Sequence, residues 1–129
     1  MSTPASQLGA IIWTDLTVPD STALRDFYAA VAGWKPEDVS MGDYSDYSMT
    51  EPATGRPVAG VCHARGGNAD FPAQWLIYIP VADLDGSLAE CLALGGAVVA
   101  GPKAMAPNSR YAVIRDPAGA VAGLYQVGG

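Results

Sequence analysis

Two short apolar stretches, PVAGVCH at Pro57–His63 and AVAGLYQ at 120–126, repeat the tripeptide Val-Ala-Gly and decide the fold. The offset of 63 residues that superimposes these two stretches also brings other positions into register. It aligns Val18 with Val81, Asp20 with Asp83, Ala30 with Ala93, and Gly33 with Gly96. A register that holds from the first predicted strand to the last is typical of a duplicated unit. The chain is therefore predicted to contain two copies of one module.

The first module begins with a strand and a helix. WTDLTV at 13–18 alternates apolar and polar residues, which predicts a half-buried strand. Asp20 or Ser21 then offers a helix N-cap, and Gly33 is placed to end the helix. The helix is predicted from an apolar stripe at positions i, i+3, i+4 and i+7, formed by Leu24, Phe27, Tyr28 and Val31.

Both modules are predicted to continue in the same way, so that each has the order strand, helix and three strands. In the first module we expect a weakly indicated strand before residue 36, a loop at 36–42, strands at 44–50 and 58–62, and a polar, glycine-rich linker at 64–73. The second module is expected to begin with a strand at 76–81 and a helix from Asp83 or Asp85, whose apolar stripe is Leu84, Leu88, Cys91 and Leu92. We then expect a strand around Val98, a loop at 105–109, a strand at 111–115, a turn at 116–119 and a strand at 121–126.

Length and composition limit the classes of function. With 129 residues, half of them apolar and 16% charged, the chain is predicted to be one globular domain, residues 1–129, with modules at 10–63 and 74–127. A net charge of −6 disfavours nucleic acid as a partner, and no segment is long enough to span a membrane. The start of the chain does not read as a signal peptide and the two cysteines lack CxxC spacing, so we expect a cytoplasmic protein.

Three stretches carry a resemblance to a known family. DLTVPDSTALRDFY at 15–28, VADLDGSLAECLALGGAVV at 81–99 and YAVIRDPAGAVAGLYQ at 111–126 resemble the two halves of the vicinal oxygen chelate superfamily. That superfamily holds the glyoxalase I, bleomycin-resistance and extradiol dioxygenase proteins. The resemblance implies an α+β fold of two tandem βαβββ modules, whose curved mixed sheet forms half-barrels around a cavity with the helices outside. It also implies a homodimer.

Enzymes of this family hold a divalent metal through one side chain from the first strand and one from the last strand of each module. The resemblance places these four ligands at Trp13, Gly60, Leu76 and Gly123. None of these residues coordinates a metal through its side chain. The one histidine, His63, is predicted to be an ordinary strand-end or interface residue. We therefore expect no metal and no cofactor.

Residues beside those four positions are predicted to face the cavity, because strand residues two apart share a face. The predicted lining is Trp13, Asp15, Thr17, Val58, Gly60, Cys62, Leu76, Tyr78, Pro80, Val121, Gly123 and Tyr125. Such an apolar and aromatic lining is typical of a small-molecule pocket, although the same side chains could fill the core. The residues assigned to ligand binding are Trp13, Asp15, Tyr47, Met49, Cys62, Tyr78, Arg110 and Tyr125.

The interpretation that follows is a bleomycin-resistance-like binding protein that takes a small apolar or aromatic molecule. One alternative is a metal-independent isomerase, epimerase or lyase, in which Asp15 or a tyrosine hydroxyl transfers the proton. A metal-dependent lyase or dioxygenase is less favoured because the ligand positions lack donor atoms. An interaction module with a filled core is a further alternative.

Overall fold

The computed structural model describes residues 7–105 and 108–127 and divides them into two compact units. One unit contains residues 14–75, and the other contains the described residues up to Trp13 and from Leu76 onward. The elements are β1 (Trp13–Val18), α1 (Ser21–Ala32), β2 (Lys35–Ser40), β3 (Ser45–Thr50), β4 (Pro57–His63), β5 (Trp75–Pro80), α2 (Leu84–Ala93), β6 (Ala97–Ala104), β7 (Ser109–Arg115) and β8 (Val121–Val127). The predicted fold class, α+β with two βαβββ modules, is confirmed.

The sheet of the first module has the order β2-β3-β4-β1. Strands β1 and β4 are parallel, and their register sets Asp15 beside Gly60 and Thr17 beside Cys62. The pairs β2–β3 and β3–β4 are antiparallel. A mixed sheet of this kind follows from the chain order, since the helix α1 crosses between β1 and the later strands.

The sheet of the second module has the equivalent order β5-β8-β7-β6. Strands β5 and β8 are parallel, with Tyr78 beside Gly123, and the other two pairs are antiparallel. The repeated Val-Ala-Gly tripeptide therefore sets Gly60 and Gly123 at equivalent positions, each beside a residue of the first strand of its module. The segment before β1 also belongs to this unit, because the Gly9 amide donates to the Pro80 carbonyl and the Ile12 amide to the Tyr78 carbonyl.

Helix α1 begins and ends where the sequence predicts. The Asp20 carboxylate accepts a hydrogen bond from the Ala23 amide at 3.3 Å, and Gly33 ends the helix with φ of 75°. Only half of the predicted apolar stripe is in the core. Leu24 and Tyr28 pack against the buried cluster formed by Tyr47, Met49, Ala59 and Val61, whereas Phe27 and Val31 are 53% and 66% exposed.

Helix α2 packs on the second sheet in the same manner. Asp83 caps it by accepting from the Gly86 amide at 3.2 Å. Leu84 and Leu88 are buried against Ala112 and Leu124, which point from β7 and β8 toward the helix. Leu92, the last residue of the predicted stripe, is exposed.

The prediction of a loop at 36–42 is wrong for most of that segment. Lys35–Ser40 forms β2, which pairs with β3 over six residue pairs. All six residues of β2 are exposed, so they lack the alternation of apolar and polar side chains by which a half-buried strand is recognised. Pro36 is tolerated because an edge strand needs hydrogen bonds on one side only.

The linker predicted at 64–73 contains a short 3-10 helix at Gly66–Asn68. Two residues of the loop predicted at 105–109, numbers 106 and 107, lie outside the described residues. In the part of the chain that the structure describes, no helix is both long and apolar enough to cross a membrane.

Candidate functional site

Three tyrosines share one face of the second sheet. Leu124 packs toward α2, so its neighbours Gly123 and Tyr125 point to the opposite face. Tyr125 is paired with Tyr111 of β7, and Gly123 with Tyr78 of β5. Directly opposed residues lie on the same side of a sheet. We call this surface, defined by the half-buried side chains of Tyr78, Tyr111 and Tyr125, the aromatic face.

The ring of Tyr78 lies against the backbone of Gly123. A β-carbon added at Gly123 would overlap the Cγ, Cδ1 and Cε1 atoms of the Tyr78 ring. Glycine inside a strand often marks such a close approach. Gly123 therefore allows the ring to lie over β8, and the ring occupies the space into which any side chain at position 123 would extend.

The four positions at which the family resemblance predicts metal ligands are occupied by residues whose side chains do not fit a divalent metal. Trp13 is half-buried at the start of β1, and Leu76 is fully buried. Neither an indole nor an alkyl side chain offers a lone pair to a cation, and Gly60 and Gly123 have no side chain at all. Among residues 7–105 and 108–127, no three His, Cys, Asp or Glu side chains come together.

The corresponding face of the first module is acidic. Ala59 and Val61 of β4 pack toward α1, so Gly60 and Cys62 point to the other face. The register sets Asp15 beside Gly60 on that face. This is the surface on which the sequence predicted ligand contacts by Asp15 and Cys62.

Cys62 is held as a neutral thiol. Burial raises the pKa of the thiol well above its ordinary value of 9.0, and the nearby carboxylates of Asp15 and Asp46 raise it further. A hydrogen bond from the thiol to Asp46 acts in the same direction. Because the thiolate is the nucleophilic form, Cys62 is unsuited to nucleophilic catalysis at neutral pH.

His63 ends β4 and is bound to the same carboxylate. Its backbone amide donates to Asp46 Oδ1 at 2.9 Å, and its ring Nδ1 lies 3.2 Å from that oxygen. The edge of Tyr44 packs against the imidazole ring. The contacts tie the end of β4 to β3, which suits the strand-end position that the sequence predicted.

Tyr47 and Met49, which the sequence predicted to bind a ligand, do not lie on the same face as Asp15 and Cys62. Their partners in β4 are Val61 and Ala59, one residue away from Gly60 in each direction. A shift of one residue moves a side chain to the other face of a sheet. Both therefore lie in the core against α1, where the Tyr47 hydroxyl and Thr22 Oγ1 form a hydrogen bond of 2.7 Å.

Arg110, which the sequence also predicted to bind a ligand, is bound to a carboxylate beside α2. Its guanidinium lies toward α2 and forms two hydrogen bonds with the Asp85 carboxylate, at 2.9 and 3.3 Å. The hydrogen bonds lower the pKa of Asp85. The neighbouring residue, Tyr111, is the one that lies on the aromatic face. Sequence reasoning missed it because the strand was recognised but its partners, which decide the orientation, were not.

The family model of the Glyoxalase/Bleomycin resistance protein/Dioxygenase superfamily matches residues 10–122. The anthracycline biosynthesis protein DnrV of Streptomyces peucetius is 32% identical over an alignment 135 residues long, gaps included, which covers 93% of this chain and 48% of that protein. The putative glyoxylase CFP32 of Mycobacterium tuberculosis is 28% identical over 120 residues, covering 93% of this chain and 45% of that protein. The chain thus spans about half the length of these curated relatives.

Solved structures share the fold at lower sequence identity. Methylmalonyl-CoA epimerase from Mycobacterium tuberculosis has a TM-score of 0.56 and 17% identity, covering 95% of this chain and 91% of that one. A Streptomyces coelicolor methylmalonyl-CoA epimerase in complex with 2-nitronate-propionyl-CoA has a TM-score of 0.53 and 18% identity, covering 92% and 96%. With its duplicated βαβββ module and a family match over most of its length, the chain belongs to the glyoxalase/bleomycin resistance/dioxygenase superfamily.

Proposed function

We propose that the chain binds a small planar aromatic molecule on the aromatic face of its second module. The observation that carries the proposal is the contact of the Tyr78 ring with the backbone of Gly123, with Tyr125 and Tyr111 on the neighbouring strands. Tyrosine rings supply a large apolar contact area, and their hydroxyl groups can orient a bound ligand. All three tyrosines are half-buried and so keep part of their surface for a ligand.

A relative's name agrees with this ligand class. DnrV is an anthracycline biosynthesis protein, and anthracyclines are built on fused planar rings. The match covers 93% of this chain. We extend to this chain only the chemical class of ligand, a fused aromatic ring system.

The proposal includes binding without the divalent metal that enzymes of the superfamily use. The side chains of Trp13 and Leu76 lack metal donors, and the Tyr78 ring fills the space beside Gly123. A carboxylate at position 123 would have to displace that ring.

Binding is tested with a neutral fused-ring probe, anthraquinone-2-carboxamide, by isothermal titration calorimetry. We expect saturable binding to the whole chain and about tenfold weaker binding to Tyr78→Ala, because the variant loses an aromatic stacking partner. Tyr44→Ala is the matched control, since Tyr44 packs on His63 in the first module. Equal affinities of the two variants, or no saturable binding to the unmodified chain, would contradict the proposal.

A second candidate is metal-independent proton transfer by Asp15, as in an isomerase, epimerase or lyase. It is favoured by the position of Asp15 beside Gly60, on the face turned away from α1, next to the buried Cys62 thiol. The test uses a panel of 1,3-dicarbonyl compounds in D₂O. NMR measures the rate at which the C–H protons next to their carbonyl groups exchange for deuterium. Asp15→Asn should abolish exchange while substrate binding persists, and Cys62→Ser should retain exchange. Equal exchange rates in Asp15→Asn and the unmodified chain would dismiss Asp15 as the base.

A further inference from the structure

The row of tyrosines on the aromatic face continues into a lysine. Lys103 of β6 is paired with Tyr111 of β7, which is paired with Tyr125 of β8. The next pair along the same ladder, Ala104 with Arg110, points toward α2, where Arg110 forms its ion pair. Strand alternation therefore sets Lys103 on the aromatic face, where it is half-buried.

The charge of this face is opposite to that of the chain. The chain has 13 acidic and seven basic side chains. On the aromatic face, the charged residues of the described strands are Lys103 and Arg115, and none of the strand residues there is Asp or Glu. The face of the first module carries Asp15 instead. The two modules therefore differ in the charge on the face that contains their equivalent glycines.

Most of the other basic side chains of the chain are paired with a carboxylate. Arg25, Arg56, Arg65 and Arg110 each lie within 4 Å of a carboxylate oxygen. Within the described residues, neither Lys103 nor Arg115 has such a partner. A half-buried lysine without a carboxylate partner, next to a tyrosine on the neighbouring strand, is suited to an anionic ligand.

We infer that the aromatic ligand is an anion, and that Lys103 binds its carboxylate or ionised hydroxyl group. The inference rests on the proposed function and narrows the ligand class to acidic fused-ring aromatics. The tyrosines contact the ring system, and Lys103 contacts the charged group at its edge. In a chain with net charge −6, Lys103 and Arg115 give this face a local positive potential that favours an anion over its neutral analogue.

The experiment compares anthraquinone-2-carboxylate with anthraquinone-2-carboxamide, which share the ring system and differ in charge. We expect the unmodified chain to bind the carboxylate about tenfold more tightly at low ionic strength, and the preference to shrink on adding salt. Lys103→Met should remove the preference and Lys103→Arg should retain it. Lys35→Met is the matched control, because Lys35 is the other lysine of the chain and lies on β2 of the first module.

Equal affinities of the two probes for the unmodified chain, or a preference that survives in Lys103→Met, overturns the anion inference and leaves aromatic binding in place. Absence of saturable binding for both probes overturns aromatic binding and the inference with it. Circular dichroism verifies the folding of each variant. If Lys103→Met does not fold, the salt dependence of the unmodified chain decides, since a preference that is insensitive to salt also overturns the inference.

Discussion

At residue 123, the absence of a side chain permits the close contact between the Tyr78 ring and the backbone of β8. In Gly123→Ala the added methyl group would occupy the space of the Tyr78 ring, so the ring would have to move away from β8. We expect the free energy of unfolding to fall by about 1–3 kcal/mol, the usual range for overpacking. Guanidinium denaturation followed by circular dichroism measures the change.

A double-variant cycle isolates the contact between the two residues. In Tyr78→Ala/Gly123→Ala the methyl group no longer meets a ring, so the double variant should be more stable than the sum of the single losses predicts. Strict additivity of the two losses would show that the ring and the glycine do not depend on each other.

Cys62 gives a prediction about pH. Its folded-state pKa is raised above the ordinary value of 9.0, whereas the unfolded thiol keeps that value. The unfolded state therefore loses its proton first as pH rises, and the resulting stability contribution is present below pH 9 and is lost above it. We expect the free energy of unfolding of Cys91→Ala to fall more steeply above pH 9 than that of the Cys62→Ala/Cys91→Ala double variant. Parallel curves would argue against the burial of Cys62 as the cause.

At the scale of an element, the start of α2 depends on a buried side chain from β8. Gln126 Oε1 accepts a hydrogen bond from the Leu84 amide at 2.6 Å, and Gln126 is only 7% exposed. Gln126→Leu leaves that amide buried without its acceptor, so we expect a loss of about 1–3 kcal/mol in the free energy of unfolding.

The ion pair at the same helix end is a useful comparison. Arg110 and Asp85 are bound to each other at the surface, where solvent screens their attraction. Arg110→Met should therefore destabilise the chain less than Gln126→Leu in the same denaturation experiment. The reverse order would mean that the surface ion pair, and not the buried amide, holds the helix in place.

At the scale of the whole molecule, we propose that the chain forms a homodimer through the edge of β2. All six residues of β2 are exposed, and an exposed strand edge is a ready surface for pairing with a second copy. We expect sedimentation equilibrium to give twice the chain mass of 13.3 kDa. Asp38→Pro, which removes an amide on the free edge of β2, should shift the mass toward that of a monomer. Leu94→Asp, an exposed position beyond α2, should leave the dimer intact, and a monomeric mass for the unmodified chain would contradict the proposal.

The order of elements could be predicted from the sequence because its signals are local. The helix cap at Asp20 and the stop at Gly33 act within a few residues of the backbone that they bind. The repeated Val-Ala-Gly tripeptide predicted equivalent strands, and Gly60 and Gly123 occupy equivalent positions in the two sheets. The bounds of β2 could not be predicted, since the strand is stabilised by pairing with β3 and carries no buried face of its own.

The sequence by itself determined the duplicated module and its α+β class. For β3, β6 and β7, only the tertiary structure decided which alternate residues face the helix. Tyr47, Met49 and Arg110 lie on the helix side, whereas Tyr111 and Lys103 lie on the opposite side. The physical reason is that strand alternation has a period of two, so a sequence gives two faces without distinguishing them. The register between strands distant in sequence assigns each face, and that register forms only when the chain is folded.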